Sequence, residues 1–302
     1  MTKLPTDVDF ARQASLRAES AARPRLRFTK MHGAGNDLVV LDGLRGPLPA
    51  FEPHVRRLGD RRFGIGFDQL LVLKPSKSAD VRMEVFDADG SQVEMCGNGI
   101  RCVLKYLRDA GHTSKDAVTV ETLGGIVTPR FTADGLVRVE MGPPVLAPAK
   151  IPTRLGDAAS AGPLIDAELR IDGQTFRATC VSMGNPHCVL YVADVDAAPV
   201  TTLGPRIEHD AMFPNRVNVE FVQLVDRGRV KQRTWERGTG ETLACGSGAC
   251  AVGVASMLRG VVDRRVEVEL RGGTLTIEWE GPGKSVFMTG PAATVFTGEI
   301  EL

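Results

Sequence analysis

Two cysteines open two helix-like runs: Cys96 in MCGNGIRCVLKYLRDAG and Cys245 in ACGSGACAVGVASMLRG, each followed by Gly-x-Gly. A cysteine at the start of a helix sits among backbone N–H groups that have no intrahelical partner, at the positive end of the helix dipole. The thiolate is favoured there. The same N–H groups form an anion site, and the glycines let a carboxylate approach the backbone closely. If an amino acid's α-carboxylate lies between two such helix starts, its Cα–H falls between two sulfurs. One thiolate can then remove the proton while the opposite thiol supplies another to the far face, inverting the centre without pyridoxal phosphate. The carbon acid is very weak, and a thiolate with a pKa near ~8.5 cannot deprotonate it alone. The reaction also needs preorganised donors aimed at the carboxylate, where negative charge accumulates. The two Gly-rich helix starts, Gly97-Asn98 and Gly246-Ser247, supply them.

The interval between the cysteines (245 − 96 = 149) recurs along the chain. It relates Gly35-Asn36 to Gly184-Asn185, Gln69 to Asn218, and Asp87 to Glu236. One residue is then lost: VTVETLGGIVT from Val118 aligns with VEVELRGGTLT from Val266 (266 − 118 = 148), and Gly142-Pro143 with Gly290-Pro291. The chain is therefore a diverged tandem repeat, and a period this long is a domain, since solenoid units run roughly 20–50 residues. Two domains related by a pseudo-twofold axis would turn both cysteines toward one shared cleft, where ligand sites commonly lie.

The elements that must position these residues are mostly strands. Runs such as DLVVLD, QLLVLK, VRMEVFDADG, AVTVET and LVRVEMG are β-rich and are separated by Gly, Pro and Asp turns. Each half holds one long helix, apolar on most faces, which ends before Gly111 or Gly260. The expected fold is α+β: two pseudo-symmetric domains, each a mainly antiparallel sheet wrapped around a central helix, with the active site in the cleft between them. Residues 1–25 are expected to form a mobile extension, too acidic for a transit peptide at Asp7, Asp9 and Glu19. The first repeat domain is expected over 26–145 and the second over 146–291, with a Pro- and Ala-rich linker over 143–162.

Composition narrows the function classes. The chain has 302 residues, 43% hydrophobic and 25% charged, with 37 basic and 37 acidic side chains, as expected of a soluble protein of two domains. Zero formal net charge and no Lys/Arg block argue against nucleic-acid or membrane partners, leaving a small molecule. With no signal-like or membrane-spanning segment, the cytoplasm is the expected location, where the six cysteines stay reduced. Cys102, Cys180, Cys188 and Cys250 read as small buried hydrophobes. Zinc is disfavoured by the absence of Cys-x-x-Cys spacing, so no metal is expected, and Ser247 lacks the Gly-x-Ser-x-Gly context of a nucleophile elbow. Asn36, Gln69, Asp87, Asn185, Asn218, Glu236 and Arg237 fall at strand ends or turns and together suggest a polar pocket. Asn in a Gly-Asn turn also has a purely backbone reading. His187, just after Gly184-Asn185-Pro186, is expected to line the site.

These motifs resemble the pyridoxal-phosphate-independent diaminopimelate epimerase family from about Phe28 to the C-terminus. The matching segments are KMHGAGNDLVVLD, GIGFDQLLVL, FDADGSQVEMCGNGIRC, SMGNPHCVLYV, NRVNVEFV and ERGTGETLACGSGACA. The resemblance implies a cofactor-independent epimerase that interconverts LL- and meso-2,6-diaminopimelate, in lysine and peptidoglycan precursor biosynthesis, with a homodimer as the expected assembly. It implies Cys96 as base toward the LL isomer and Cys245 toward the meso isomer, with Gly97-Asn98 and Gly246-Ser247 on the reacting carboxylate. Asn36 and Gln69 would serve the proximal end. Asn185, Asn218 and Arg237 would grip the distal carboxylate, with Glu236 beside the ammonium group. It also implies that the last strand, 292–302, returns to the first domain. Asp87 departs from the family's usual Asn and adds a negative charge near the distal carboxylate. The competing readings are another amino-acid racemase on the same scaffold and a non-enzymatic thiol redox sensor.

Overall fold

The computed structural model describes residues 24–156 and 162–302. The extension expected over 1–25 lies outside the described residues except for its last two, and Arg25 already pairs with Glu301 in a strand. The first half supplies β1 (Arg25–Gly33), β2 (Asn36–Asp42), β3 (Gln69–Lys74), β4 (Val81–Asp87), β5 (Gln92–Val93), β6 (Val120–Thr122), β7 (Gly125–Val127), β8 (Arg130–Phe131) and β9 (Val137–Glu140). The second supplies β10 (Ala167–Ile171), β11 (Gln174–Ser182), β12 (Pro186–Tyr191), β13 (Asn218–Asp226), β14 (Arg229–Glu236), β15 (Gly240–Thr242), β16 (Arg265–Leu270), β17 (Gly273–Trp279), β18 (Val286–Gly290) and β19 (Ala293–Glu301). The helices are α1 (Val55–Gly59), α2 (Gly97–Asp109), α3 (Val200–Glu208) and α4 (Gly246–Leu258).

The strands form two sheets. An eight-stranded sheet runs β19, β1, β2, β3, β4, β6, β7, with β5 on β4; an eleven-stranded sheet runs β10 through β14, then β16, β17, β18, β9, β8, with β15 on β14. Pairing is antiparallel except at β2–β3, β4–β6, β12–β13 and β14–β16. The sequence period reappears as strand register. Leu38 pairs with Gln69 as His187 pairs with Asn218, and Leu70 with Phe86 as Val219 with Trp235, all at the 149-residue interval. Beyond the helices the interval falls to 148: Val120 pairs with Val127 as Val268 pairs with Leu275. Gly111 and Gly260, still 149 apart, both take the left-handed φ (75° and 70°) that ends a helix, so the lost residue lies between Gly111 and Val118.

Each sheet wraps one helix. Ile100, Cys102, Val103, Leu104 and Leu107 of α2 pack against Met31, Leu38, Leu71, Met83 and Val120 of the eight-stranded sheet. The α4 helix is built from small residues (GSGACAVGVASML) and is buried on nearly every face among Val181, Val189, Val222, Val268 and Ile277. Small size is a packing requirement there, because a Cβ on Gly253 would stand 2.6 Å from Ile277 Cγ2. The outer faces of β1–β3 and of β10–β13 carry separate cores under α1 and α3.

The two halves exchange strands. β19 lies antiparallel to β1 along its length, and β9 lies against β18, with Val139 opposite Met288. In one respect the sheets depart from the sequence boundaries: β8 and β9 precede residue 145 yet hydrogen-bond into the eleven-stranded sheet. A strand edge left by one half is thus covered by the other, which fixes how the two helix starts meet.

Candidate active site between two helix starts

Cys96 and Cys245 cap α2 and α4 with nearly the same extended backbone (φ −130°, ψ 111° and φ −117°, ψ 112°). The Cys96 carbonyl accepts the first helical bond from Ile100 N–H, and the Cys245 carbonyl accepts it from Ala249 N–H, both at 2.9 Å. The sulfurs differ. Cys96 Sγ accepts from Gly99 N–H at 3.1 Å, whereas Cys245 makes no capping bond and has Ser247 Oγ at 3.5 Å. The helix starts abut, since a Cβ on Gly246 would lie 3.1 Å from Asn98 Oδ1. Two methionines close the apolar side: a Cβ on Gly97 would meet Met141 Cε at 2.8 Å and one on Gly246 would meet Met288 Sδ at 3.3 Å.

On the Cys96 side, Asn36 is locked by its neighbours. Its Nδ2 donates to Asp68 Oδ2 at 2.9 Å, so Oδ1 must face inward, where it accepts from Asn98 Nδ2 at 3.2 Å and lies 3.9 Å from Cys96 Sγ. Asp68 is held in turn by Arg61 Nη2 at 2.7 Å. Gln69 and Asp87 sit opposite one another on β3 and β4, with Gln69 Nε2 donating to Asp87 Oδ1 at 2.9 Å. Burial and the carboxylates of Asp89 and Asp68 raise the Asp87 pKa against that bond.

On the Cys245 side, Asn185 Oδ1 lies 3.0 Å from His187 Nε2, and His187 Nδ1 lies 2.8 Å from Glu220 Oε1. Glu220 also accepts from Gln232 Nε2 (2.7 Å) and Thr234 Oγ1 (2.6 Å). His187 is wholly buried with both ring nitrogens engaged, so it stands behind Asn185. Asn218 is committed at both ends of its amide: Nδ2 donates to Pro186 O and Oδ1 accepts from Arg237 N–H, each at 2.9 Å. Arg237 Nη1 reaches Asn215 O at 3.2 Å, beside a cavity of about 380 Å³ lined by Pro214, Asn215, Arg216, Arg237 and Gly238. Glu236 accepts from the Thr242 hydroxyl and is in hydrogen-bond reach of Cys245.

The charge states correct one sequence expectation. The helix start does favour a Cys96 thiolate through Gly99 and Asn98 N–H, but burial is the larger effect and pushes the thiol up to about 12. Burial, and then Glu236 and Glu220, push Cys245 well above its ordinary value. Burial therefore favours the protonated thiol at both sulfurs. Burial likewise raises the Glu236 carboxyl to about 7 against its bonds from Thr242 and Cys245.

The Glu236 shift predicts a pH dependence of stability. A folded-state pKa raised from 4.5 to about 7 gives stability that is fully present below about pH 4.5 and is lost as pH rises to about 7. At about 1.4 kcal/mol per pH unit the window amounts to at most about 3 kcal/mol. Glu236→Gln, neutral throughout, should match the parent at pH 4 and melt higher at pH 8. Thermal unfolding across that range checks it, and a difference that does not vary with pH would refute the assignment.

Sequence reasoning missed the residues that hold the site in place: Asp68, Glu208, Glu220 and the fully buried Arg101, whose Nε donates to Pro291 O at 3.1 Å. Glu220 left a signal, a lone acid at an inward position of the apolar run NVEFV. Among the described residues no group of three or more His, Cys, Asp or Glu side chains is arranged to hold a metal.

A sequence model of the diaminopimelate epimerase family matches residues 28–147 and 179–295. A diaminopimelate epimerase of Aromatoleum aromaticum is 53% identical over 279 residues, spanning 92% of this chain and 99% of its own. One of Acetivibrio thermocellus is 49% identical over 282 residues, spanning 92% and 99%. Among solved structures, the chain superposes on a Bacillus anthracis phenazine biosynthesis protein of the PhzF family with TM-score 0.68 at 18% identity, covering 92% of this chain and 100% of that one. It superposes on an Agrobacterium vitis hydroxyproline epimerase with TM-score 0.66 at 17% identity, covering 91% of each. At such identities these structures share the fold alone.

Proposed function

Because the chain belongs to the diaminopimelate epimerase family, we propose that it interconverts LL- and meso-2,6-diaminopimelate, a step toward lysine and peptidoglycan precursors, by cofactor-independent proton transfer at Cα. The observation that supports this most directly is the abutment of two Cys-capped helix starts, which offers one carboxylate two sets of N–H donors and one Cα–H two sulfurs. Once Cys96 has given its own proton to solvent, its thiolate takes the Cα proton of the LL isomer. The C–H electron pair is left on Cα and delocalises into the carboxylate, which is held by N–H groups of Gly97-Asn98 and Gly246-Ser247. The Cys245 thiol then protonates the opposite face, and the roles exchange for the reverse reaction. The burial that keeps protons on the sulfurs also makes a thiolate, once formed, a stronger base than it is in water. Asn36 and Gln69 serve the near end of the substrate, and Asp87 stands toward its far ammonium group. Asn185, with His187 behind it, Asn218 and Arg237 serve the far carboxylate, with Glu236 beside the ammonium group. We take the working form to be a cytoplasmic homodimer: the mechanism needs reduced thiols, all six cysteines are free, and β19 ends its sheet with Val295 and Phe296 exposed.

The test is proton exchange in deuterium oxide followed by NMR. Deuterium should enter Cα of LL- and meso-diaminopimelate as the isomers interconvert. Lysine, which lacks the second carboxylate, should exchange at least about tenfold more slowly, because a charge-assisted hydrogen bond contributes about 1.5–3 kcal/mol. Lysine exchanging as fast as diaminopimelate would overturn the substrate assignment and leave the racemase class standing. No exchange with any amino acid would instead favour a thiol sensor.

A further inference from the structure

Glu208 ends α3 with its side chain buried, at the negative end of the helix dipole, where a carboxylate is disfavoured. Three donors surround it. Trp235 Nε1 donates to Oε2 at 2.7 Å, Gly238 N–H donates to Oε1 at 2.9 Å, and Arg216 Nη1 lies 3.7 Å from Oε1. His209 Nδ1 stands 3.9 Å from Oε2. The approach is possible because Gly204, one turn earlier, leaves room for the indole: a Cβ there would lie 2.6 Å from Trp235 Cγ. Trp235 and Gly238 bracket Glu236 and Arg237, and Arg216 shares with Arg237 the cavity of about 380 Å³. Arg216 itself has a left-handed backbone (φ 58°) that a non-glycine residue adopts at a cost.

We propose that Glu208 is the positioning residue of the far end of the site: it clamps the chain on both sides of Glu236-Arg237 and draws Arg216 to the same mouth, so that the arginine fork is already aimed when a substrate's second carboxylate arrives. The proposal rests on the diaminopimelate reading for what Arg237 grips. A carboxylate suits this role better than an amide. A glutamine offers one accepting oxygen, so one of the two N–H donors would face an NH₂ group, and the ion pair with Arg216 would be lost.

The test is a double-mutant cycle of Glu208→Gln and Arg237→Ala in the full-length enzyme, reading KM and kcat for diaminopimelate. Glu208→Gln should raise KM about 10- to 100-fold, the equivalent of losing one charge-assisted bond, and lower kcat less than about threefold. In the Arg237→Ala background the same change should move KM less than about twofold, because two residues that act through one contact do not add. A purely structural tie between α3 and β14 would lower Tm, leave KM unchanged and act equally in both backgrounds; that result overturns the proposal. The affinity of each variant for pimelate, a dicarboxylate without a reacting centre, measured by calorimetry, gives a readout independent of turnover. If wild-type protein binds pimelate but turns over no diaminopimelate, the substrate reading fails while Glu208 is still judged by the pimelate cycle. If Glu208→Gln binds pimelate as wild type does, the positioning role fails on its own.

Discussion

Cys96→Ala and Cys245→Ala each abolish epimerisation at the level of the chemical step, with kcat falling at least about 10²–10⁴-fold, the usual effect of removing a positioned acid or base. The two variants separate in stability. Cys96 Sγ caps α2 through Gly99 N–H, so its loss destabilises by about 1 kcal/mol, as other N-cap deletions do. Cys245 makes no side-chain cap of that geometry, so its alanine variant should lose less stability than the Cys96 variant. Steady-state kinetics with both isomers and thermal melts on the same samples check this. Turnover near the wild-type level in either variant would remove the two-base mechanism whatever the melts show.

Much of this architecture was legible because the repeat is written in residues that geometry cannot spare. At Gly97, Gly99, Gly246 and Gly248 a Cβ would crowd Met141, Cys96, Asn98 or Glu220 at 2.7–3.2 Å, a packing reason for Cys-Gly-x-Gly in both halves. The register pairs Leu38–Gln69 and His187–Asn218 follow from the same interval. What was not legible is what the repeat does not share. Asp68 orients Asn36, but its counterpart 149 residues on is Val217, and Asn185 is held instead through His187 by Glu220. Glu208 reaches Trp235 and Gly238 from some 30 residues away on another element, a contact that no local pattern encodes. The protonation states were misread for a related reason: a helix start is visible in sequence, whereas the depth at which it is buried is a property of the assembled sheets.

The second large effect concerns oxidation. Two thiols that flank one carbon atom stand close enough to be joined once that carbon is absent, provided the Cβ atoms approach to about 3.5–4.5 Å. Both sulfurs are buried, only 8% and 5% exposed, and burial pushes their pKa values up, so attack requires water to reach a sulfur and favour the thiolate that acts as nucleophile. Substrate-free enzyme treated with a mild two-electron oxidant such as diamide should therefore lose all activity as Cys96 and Cys245 give up two protons and two electrons to form one S–S bond. Dithiothreitol should restore it. Bound diaminopimelate should protect, because it fills the space between the sulfurs. The fold supplies its own control in Cys180 and Cys188, which are directly opposed on β11 and β12 at 1% and 0% exposure, away from the two helix starts. Peptide mapping should find the Cys96–Cys245 crosslink and reduced Cys180 and Cys188 in the inactive enzyme. An inactivating Cys180–Cys188 bond, or inactivation that substrate does not slow, would mean that the two helix-capping sulfurs do not share one carbon.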